Sequence, residues 1–305
     1  MWFGSYRAKA NYARMGCFLS CLRGTMPDGN EPSDGTKGPE LEPNGESSLS
    51  PTQARVMSGA RARAKEASNA ALPRLAQNFQ RLGYDKDVLQ TVLKYLRDAA
   101  PIIIHFDPFL PIEPGCCFYR TVLDAFLADS HCRSVFETEV TASNTAQREE
   151  KERTLFAGQY DGETAPGERP KYGSVNLYNM PGGTARDFGD CYFELKAQVR
   201  ARCTFTYGPS TEDLAQTVAT CEHLAHVLVR FTDEEIRCLV ERNWYAPTSD
   251  PRINFLIEAQ VHGPIEFVRD VKELRYDKEL WCKWKRLHKL ANEKRFKIRS
   301  YELTP

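Results

Sequence analysis

Apolar and polar residues follow a two-residue alternation through much of the second half of the chain. This alternation predicts strands at 172–179, 190–206 and 256–264, because successive side chains of a strand point to opposite faces. An apolar run that begins at a proline predicts a further, buried strand at 101–106. These four segments are expected to form the sheet.

A helical period precedes the first predicted strand. Ser50, Pro51 and Gln53 occupy the positions of an N-terminal capping box, so a helix is expected to begin there. A second helix is expected to end at Pro101, because apolar residues recur on one of its faces. These residues are Val88, Leu89, Val92, Leu93 and Leu96.

Further helices are expected at 121–130, as a pair within 211–244, and in the basic segment 281–299. Thr232, with an acidic residue three positions later, provides a capping box for the second helix of the pair. Residues 143–170 are mostly polar and glycine-rich, which predicts a long loop that lines a site.

The composition changes along the chain and indicates its organisation. The segment between the first cysteines and the first helix is rich in Gly, Pro, Ser and acidic residues. It would bury too little apolar surface to offset the entropy lost on ordering. We therefore expect an N-terminal segment at 1–21, a disordered linker at 22–49, a helical region at 50–100, a globular domain at 101–280, and a basic helix and tail at 281–305. The expected fold is α+β, with a mostly antiparallel, split or two-layer sheet and packed helices.

Charge and cysteine content narrow the functional classes. The 41 basic and 41 acidic residues balance, so the sequence gives no strong signal for nucleic-acid binding. The ten cysteines form no CxxC pair, which favours a reduced, intracellular and cytoplasmic setting over a disulfide framework. No apolar run approaches the roughly 20 residues that a membrane-crossing helix needs.

The N-terminal segment contains the sequence MGCFLSCLRG, which starts at Met15 and fits the pattern for N-myristoylation. If Met15 is the true start, Gly16 is the myristoylation site, and Cys17 and Cys21 are available for palmitoylation. Two acyl chains hold a protein on a membrane where one is marginal. The chain would then lie peripherally at the cytoplasmic face of a membrane, with the linker as a tether.

The strand at 256–264 carries the strongest candidate for chemistry. Glu258 lies inside a short apolar strand that stops at Gly263, and a buried carboxylate is costly unless something pairs with it. Gln260 shares the strand face of Glu258 by the two-residue period, so both are expected in one site.

Cys221, His223 and His226 form a cluster with metal-binding residue types. His223 and His226 share a helix face, but Cys221 does not lie well for joint coordination and no fourth ligand has a recognisable spacing. No metal is therefore expected, and a metal-dependent hydrolase at this cluster is the third of three functional hypotheses.

Several sequence blocks occur in a recognisable order: IIIHF, FET, LFAGQYDG, ERPKYG, TFTYG and EAQVHGP. This order resembles a mostly bacterial family catalogued as domain of unknown function 3626, over about Ile102 to Asp277. The family's first motif is roughly HFHPDR, whereas this chain has HFDPFL from His105 to Leu110. The resemblance implies a layout similar to ADP-ribosyltransferases of the His-Tyr-Glu type.

That layout implies a catalytic set of three residues and NAD as the substrate. Glu258 would stabilise the positively charged ribose, His105 would hold the other ribose, and Tyr172 would stack on nicotinamide. The remaining substrate-binding candidates are Arg169 and Lys171, which lie close enough to contact the pyrophosphate, together with Gln260, Ser143 and Asn144.

Two of these three residues also have an ordinary structural interpretation. His105 is equally typical of a strand-end histidine bonded to backbone, and Tyr172 of a core aromatic residue. The leading hypothesis is an NAD-dependent ADP-ribosyltransferase-like enzyme that acts on an unknown acceptor, either a macromolecule or a small molecule. Its alternative is a catalytically inactive, membrane-tethered interaction module, which the altered HFDPFL block makes plausible.

Overall fold

The computed structural model describes residues 48–112, 121–138, 145–210, 217–241 and 257–302. The helices are α1 (Pro51–Arg81), α2 (Lys86–Asp98), α3 (Val122–Ala128), α4 (Val135–Thr138), α5 (Thr145–Leu155), α6 (Ala225–Leu228), α7 (Asp233–Glu241), α8 (Phe267–Asp270) and α9 (Trp284–Lys294). The strands are β1 (Ile102–Phe106), β2 (His131–Cys132), β3 (Lys171–Val175), β4 (Cys191–Leu195), β5 (Cys203–Tyr207), β6 (Ala219–Thr220), β7 (Ile257–Val261), β8 (Ile265–Glu266), β9 (Val271–Asp277) and β10 (Lys297–Tyr301).

Eight of the strands form one sheet in the order β10-β9-β4-β1-β3-β7-β5-β6, and β2 pairs with β8 separately. Strands β9 and β10 are parallel, whereas the other neighbours in the described sheet are antiparallel. The prediction of an α+β fold with a mostly antiparallel sheet is confirmed. The predicted strands correspond to β1, β3, β4 with β5, and β7.

The helix starts are set by side chains that cap free backbone groups. Ser50 Oγ accepts a hydrogen bond from the Gln53 backbone N–H at 3.2 Å, and Gln53 Oε1 accepts from the Ser50 N–H at 2.9 Å. Thr232 and Glu235 make the same reciprocal pair at the start of α7. Both predicted capping boxes are confirmed.

One face of the sheet is apolar and forms the main core. Aliphatic and aromatic side chains of β1, β3, β4, β5 and β7 pack there against α1, α2, α3 and α9. The ring of Phe193 lies at the centre of an aromatic cluster, with ring-centroid distances between 4.6 and 5.7 Å to Phe106, Phe126, Phe267 and Phe296. This packing makes the sheet a rigid support for the side chains on its other face.

The structure differs from the sequence-based expectation in four segments. Helix α5 lies inside the region predicted as a loop, 143–170. The helix predicted at 281–299 ends at Lys294, and residues 297–301 form the edge strand β10. Strand β9 was not predicted. Within 211–244, residues 217–224 are not helical.

The predicted acylation segment, 1–21, and the predicted linker up to residue 47 lie outside the described residues. Among the helices that the structure describes, none combines the length and the apolar character that a membrane span requires.

Candidate functional site

Four of the predicted site residues, Glu258, Gln260, Tyr172 and His105, lie on the polar face of the sheet, whereas Lys171 lies on the opposite face of β3. Strand β3 pairs with β7, so that Ser174 lies opposite Glu258 and Tyr172 opposite Gln260. Strand β1 is the other neighbour of β3 and pairs Ile103 with Ser174, so His105, two residues after Ile103, projects from the same face. Residues two apart share a face, so all four predicted residues project from the side opposite the aromatic core.

Glu258 lies within this face with 8% of its surface exposed. Its Oε1 accepts hydrogen bonds from Gln260 Nε2 at 2.8 Å and from the Ser210 backbone N–H at 3.3 Å. Burial raises the pKa of Glu258, while hydrogen bonds from the Ser210 side chain, the Gln260 amide and the Ser210 backbone, and the positive charge of Arg148, act in the opposite direction. The carboxylate is therefore held by neutral donors, with a cation nearby but no direct ion pair to it among the described residues.

Tyr172, which lies opposite Gln260, is bonded to a second buried carboxylate. Its hydroxyl donates to Glu152 Oε1 at 2.8 Å, and the guanidinium carbon of Arg148 lies 5.2 Å from its ring centroid. Burial raises the pKa of Tyr172 well above its ordinary value, and the negative charges of Glu152 and Glu258 add to this. The tyrosine therefore remains a neutral donor whose ring face accepts a cation.

Glu152, on α5, was not identified from the sequence, where its segment was assigned to a loop. It is 1% exposed and makes an ion pair with Arg169 through Oε2 at 3.0 Å. Arg148 and Glu152 are four residues apart, a spacing that puts them on one helix face. Recognition of that helix would have pointed to both residues.

The two cations that the sequence assigns to pyrophosphate contact are both engaged by the protein. Arg169 is 3% exposed; besides Glu152, it contacts the ring of Phe136, with its guanidinium carbon 4.4 Å from the ring centroid. Lys171 Nζ donates to the backbone carbonyls of Gly167 at 2.8 Å and Arg169 at 3.3 Å, and its burial lowers the pKa of the amine. A role for them in ligand binding stays a prediction.

His105 is held in one orientation by the loop that follows β3. Its Nδ1 lies 2.8 Å from the carbonyl oxygen of Gly189, which can only accept, so Nδ1 carries the proton. Nε2 is shielded from solvent and has no hydrogen-bond partner among the described residues. It faces Gly183, where a Cβ atom would come within 2.3 Å of it. Burial lowers the pKa of His105 to about 4, so the ring is neutral at pH 7.

The remaining predicted residues cannot be placed in the site. Ser143 and Asn144, as well as Gly16, Cys17 and Cys21, lie outside the described residues. In the part of the chain that the structure describes, no group of three His, Cys, Asp or Glu side chains could hold a metal ion. This holds for the cluster of Cys221, His223 and His226 as well.

The candidate site consists of Arg148, Tyr172, Glu258 and Gln260, which contact or face one another, and of His105, which shares their face of the sheet but contacts Gly183, Gly189 and Tyr192. The site contains a carboxylate in a poorly hydrated setting, an aromatic ring that accepts a cation, and an oriented neutral histidine. Such a carboxylate can stabilise positive charge that develops next to it, because charge interactions are stronger away from water.

Comparison with known proteins agrees with the sequence motifs. No curated protein matches the chain. The match to a family model includes β1, with His105, and β3, with Tyr172, and it ends before β7, which carries Glu258. Over residues 102–239 the chain matches the family described as Protein of unknown function (DUF3626), and the resemblance that its motifs indicate is confirmed over that range.

Proposed function

We propose that the chain binds NAD and transfers its ADP-ribose group to an acceptor. The observation that supports this is the common orientation of Glu258, Tyr172 and His105 on three adjacent strands, β7, β3 and β1, of one rigid sheet. Neighbouring strands are spaced by about 4.8 Å, so an extended dinucleotide crossing them can reach all three side chains.

In the proposed reaction the bond between nicotinamide and ribose breaks. Nicotinamide leaves with the bonding electron pair, and the ribose develops oxocarbenium-like positive charge before the acceptor nucleophile attacks its C1′. Glu258 acts as the stabilising carboxylate, and its low hydration strengthens the interaction. The acceptor, a macromolecule or a small molecule, supplies the electron pair of the new bond and loses a proton.

The other residues of the candidate site would position the dinucleotide. The ring of Tyr172 already accepts the guanidinium of Arg148, so its face suits the cationic nicotinamide ring of NAD. Arg148 has no hydrogen bond or ion pair with the other described residues, so it is available to contact the diphosphate, whereas Lys171 projects from the other face of β3. His105 would orient a ribose hydroxyl.

The test is the release of nicotinamide from NAD, measured by chromatography. Glu258→Gln keeps the shape and an acceptor oxygen but removes the charge, and we expect the rate to fall by roughly 100-fold or more. The control is Glu150→Gln, which removes an exposed carboxylate of α5 that is paired with Arg153. A Glu258→Gln variant that is folded and cleaves NAD at the unchanged rate rejects the proposal.

The inactive interaction module is the second candidate, and the enclosure of His105 Nε2 by Gly183 favours it. Calorimetry that detects no binding of NAD to the wild-type chain would select this alternative. Its membrane tether depends on acylation at Gly16, Cys17 and Cys21. Mass spectrometry of the native N-terminus that finds residue 1 intact would exclude acylation at Gly16.

A further inference from the structure

A continuous chain of hydrogen bonds runs beneath the candidate site and ends on Glu258. The Tyr160 hydroxyl lies 2.7 Å from His262 Nδ1, and His262 Nε2 lies 3.0 Å from Thr204 Oγ1. Thr204 Oγ1 lies 2.9 Å from Gln260 Oε1, and Gln260 Nε2 lies 2.8 Å from Glu258 Oε1. Four links thus connect a tyrosine that the proposed mechanism does not use to the proposed catalytic carboxylate.

The direction of the chain is fixed at its Glu258 end. When Glu258 is ionised, as the proposed chemistry requires, its carboxylate only accepts hydrogen bonds, so the Gln260 atom facing it is the amide nitrogen. A second contact agrees, since Gln260 Nε2 lies 3.0 Å from Thr206 Oγ1, whose own hydroxyl donates to the Gly208 carbonyl at 3.3 Å. The oxygen of the Gln260 amide therefore faces Thr204.

The remaining donors follow by elimination. Thr204 must donate its hydroxyl proton to Gln260 Oε1, so its oxygen accepts from His262 and Nε2 of His262 carries the proton. The unprotonated Nδ1 of His262 then accepts from Tyr160. A neutral ring is required for this, and burial, together with the positive charges of Arg202 and Lys171, lowers the pKa of His262 to about 3.

Because the residues of this hydrogen-bond chain are buried, reversing the direction of its hydrogen bonds would leave a polar group without a partner. Tyr160, His262, Thr204 and Gln260 are each 0% exposed, so water cannot substitute for a missing partner at these positions. If the His262 ring carried its proton on Nδ1, Thr204 would donate to Nε2 instead, and the Gln260 oxygen would lose its donor. The amide would then be free to turn its oxygen toward Glu258, where two acceptors repel each other.

We infer that Tyr160 and His262 are positioning residues that keep the Gln260 amide nitrogen directed at Glu258 and thereby keep this carboxylate ionised in one orientation. The need for an ionised Glu258 rests on the proposed NAD chemistry, whereas the distances along the hydrogen-bond chain are independent of it. Of the five members, Glu258 and Gln260 were identified from the sequence. The positioning role assigned here belongs to the buried residues behind them.

The experiment follows the titration of Glu258 by NMR of the ¹³C-labelled carboxyl, with Glu258→Gln used to assign the signal. Thr204→Val removes the hydroxyl that joins the two halves of the chain, and Thr204→Ser restores it. Tyr160→Phe removes the first donor. Tyr301→Phe is the matched control, because Tyr301 is also buried and its hydroxyl donates to a carbonyl, that of Asp190, at 2.8 Å.

We expect the Glu258 midpoint to rise by about one pH unit in Thr204→Val and in Tyr160→Phe, because one hydrogen bond is worth roughly that shift. Thr204→Ser and Tyr301→Phe should leave the midpoint at the wild-type value. The charged and titratable neighbours Arg148, on α5, and Tyr172, on β3, are the same in all these variants. Loss of packing alone would lower stability without moving the midpoint.

Two results separate this inference from the proposed function. An unchanged Glu258 midpoint in folded Thr204→Val overturns the positioning role, whatever the enzyme activity. A shifted Glu258 midpoint in Thr204→Val, together with a wild-type protein that cleaves no NAD, supports the positioning role and rejects the proposed function. If the positioning role and the NAD-cleaving function are both correct, the low-pH side of the plot of kcat against pH should shift together with the titration midpoint of Glu258. KM for NAD should stay within twofold of the wild-type value.

Discussion

Glu152 and Glu258 are two buried carboxylates on the same face of the sheet, and they are stabilised in different ways. Glu152, 1% exposed, binds the guanidinium of Arg169 and the hydroxyl of Tyr172. Glu258, 8% exposed, is bonded to the Gln260 amide and to Ser210, both neutral donors. Burial raises the pKa of both carboxyl groups. The difference lies in their partners: ion-paired Glu152 holds α5 to β3, whereas Glu258 has no ion pair with another described residue, which is typical of a functional carboxylate.

The largest effect that this comparison predicts is on Glu152. Glu152→Gln leaves Arg169, 3% exposed, with only the more distant and partly exposed Glu149 as an anionic partner, and we expect the free energy of unfolding to fall by about 3 kcal/mol. Urea denaturation at pH 7.5 measures this loss. Glu150→Gln on the same helix breaks only the exposed pair with Arg153, so its effect should stay below about 0.5 kcal/mol. Equal effects of the two variants would contradict the structural role of Glu152.

A smaller effect is predicted for the phenol that lies between the two carboxylates. Tyr172→Phe removes the donor to Glu152 and keeps the ring, so we expect a loss of about 2 kcal/mol in stability, because hydrogen bonds to charged groups are the stronger ones. The aromatic face that is proposed to bind nicotinamide remains. NAD cleavage by this variant, measured below its unfolding temperature, should stay within a few-fold of wild type.

Tyr172→Ala is the contrasting variant, because it removes the ring together with the hydroxyl. If Tyr172→Phe and Tyr172→Ala lose NAD cleavage equally, the hydroxyl and not the ring is the functional part. Tyr172 would then act in the reaction together with Glu258. Its partner Glu152 could no longer be regarded as a purely structural carboxylate.

The contrast between the carboxylates also shows how far sequence patterns reach. Strand β7 was predicted because apolar residues alternate around Glu258 and Gln260, and the two-residue period correctly placed both on one face. Helix α5, with the sequence TAQREEKERTL, has almost no apolar face, so the pattern predicted a loop and Glu152 was overlooked. Its burial depends on Arg169, 17 residues away, which no local period can reveal.

Strands β9 and β10 were missed for a related reason. Strand β9 places charged residues on the polar face, where buried Glu273 pairs with Arg275 and with Arg299 of β10. In a local pattern such charges are typical of a solvated helix surface. His262, by contrast, lies in the EAQVHGP block, but its role depends on Tyr160 and Thr204, which are distant in sequence.

The smallest predicted effect has the opposite sign to that at Glu152. Burial raises the folded-state pKa of Glu258 above the unfolded value, so the folded protein binds a proton more readily and wild-type stability falls as pH rises through the folded pKa. Glu258→Gln has no charge to bury and keeps an oxygen that accepts from Gln260 and Ser210. We expect it to be more stable than wild type at pH 7.5.

Chemical denaturation of wild type and Glu258→Gln at pH 7.5 and at pH 4.5 provides the measurement. The advantage of the variant should shrink as the pH is lowered to 4.5, because the raised pKa of Glu258 means that the folded wild type takes up a proton there and buries less charge. A Glu258→Gln variant that is less stable than wild type at pH 7.5 would place Glu258 with Glu152 as a structural carboxylate. A gain in stability together with a loss of NAD cleavage is the combination expected where a protein retains an unfavourable charge for its function.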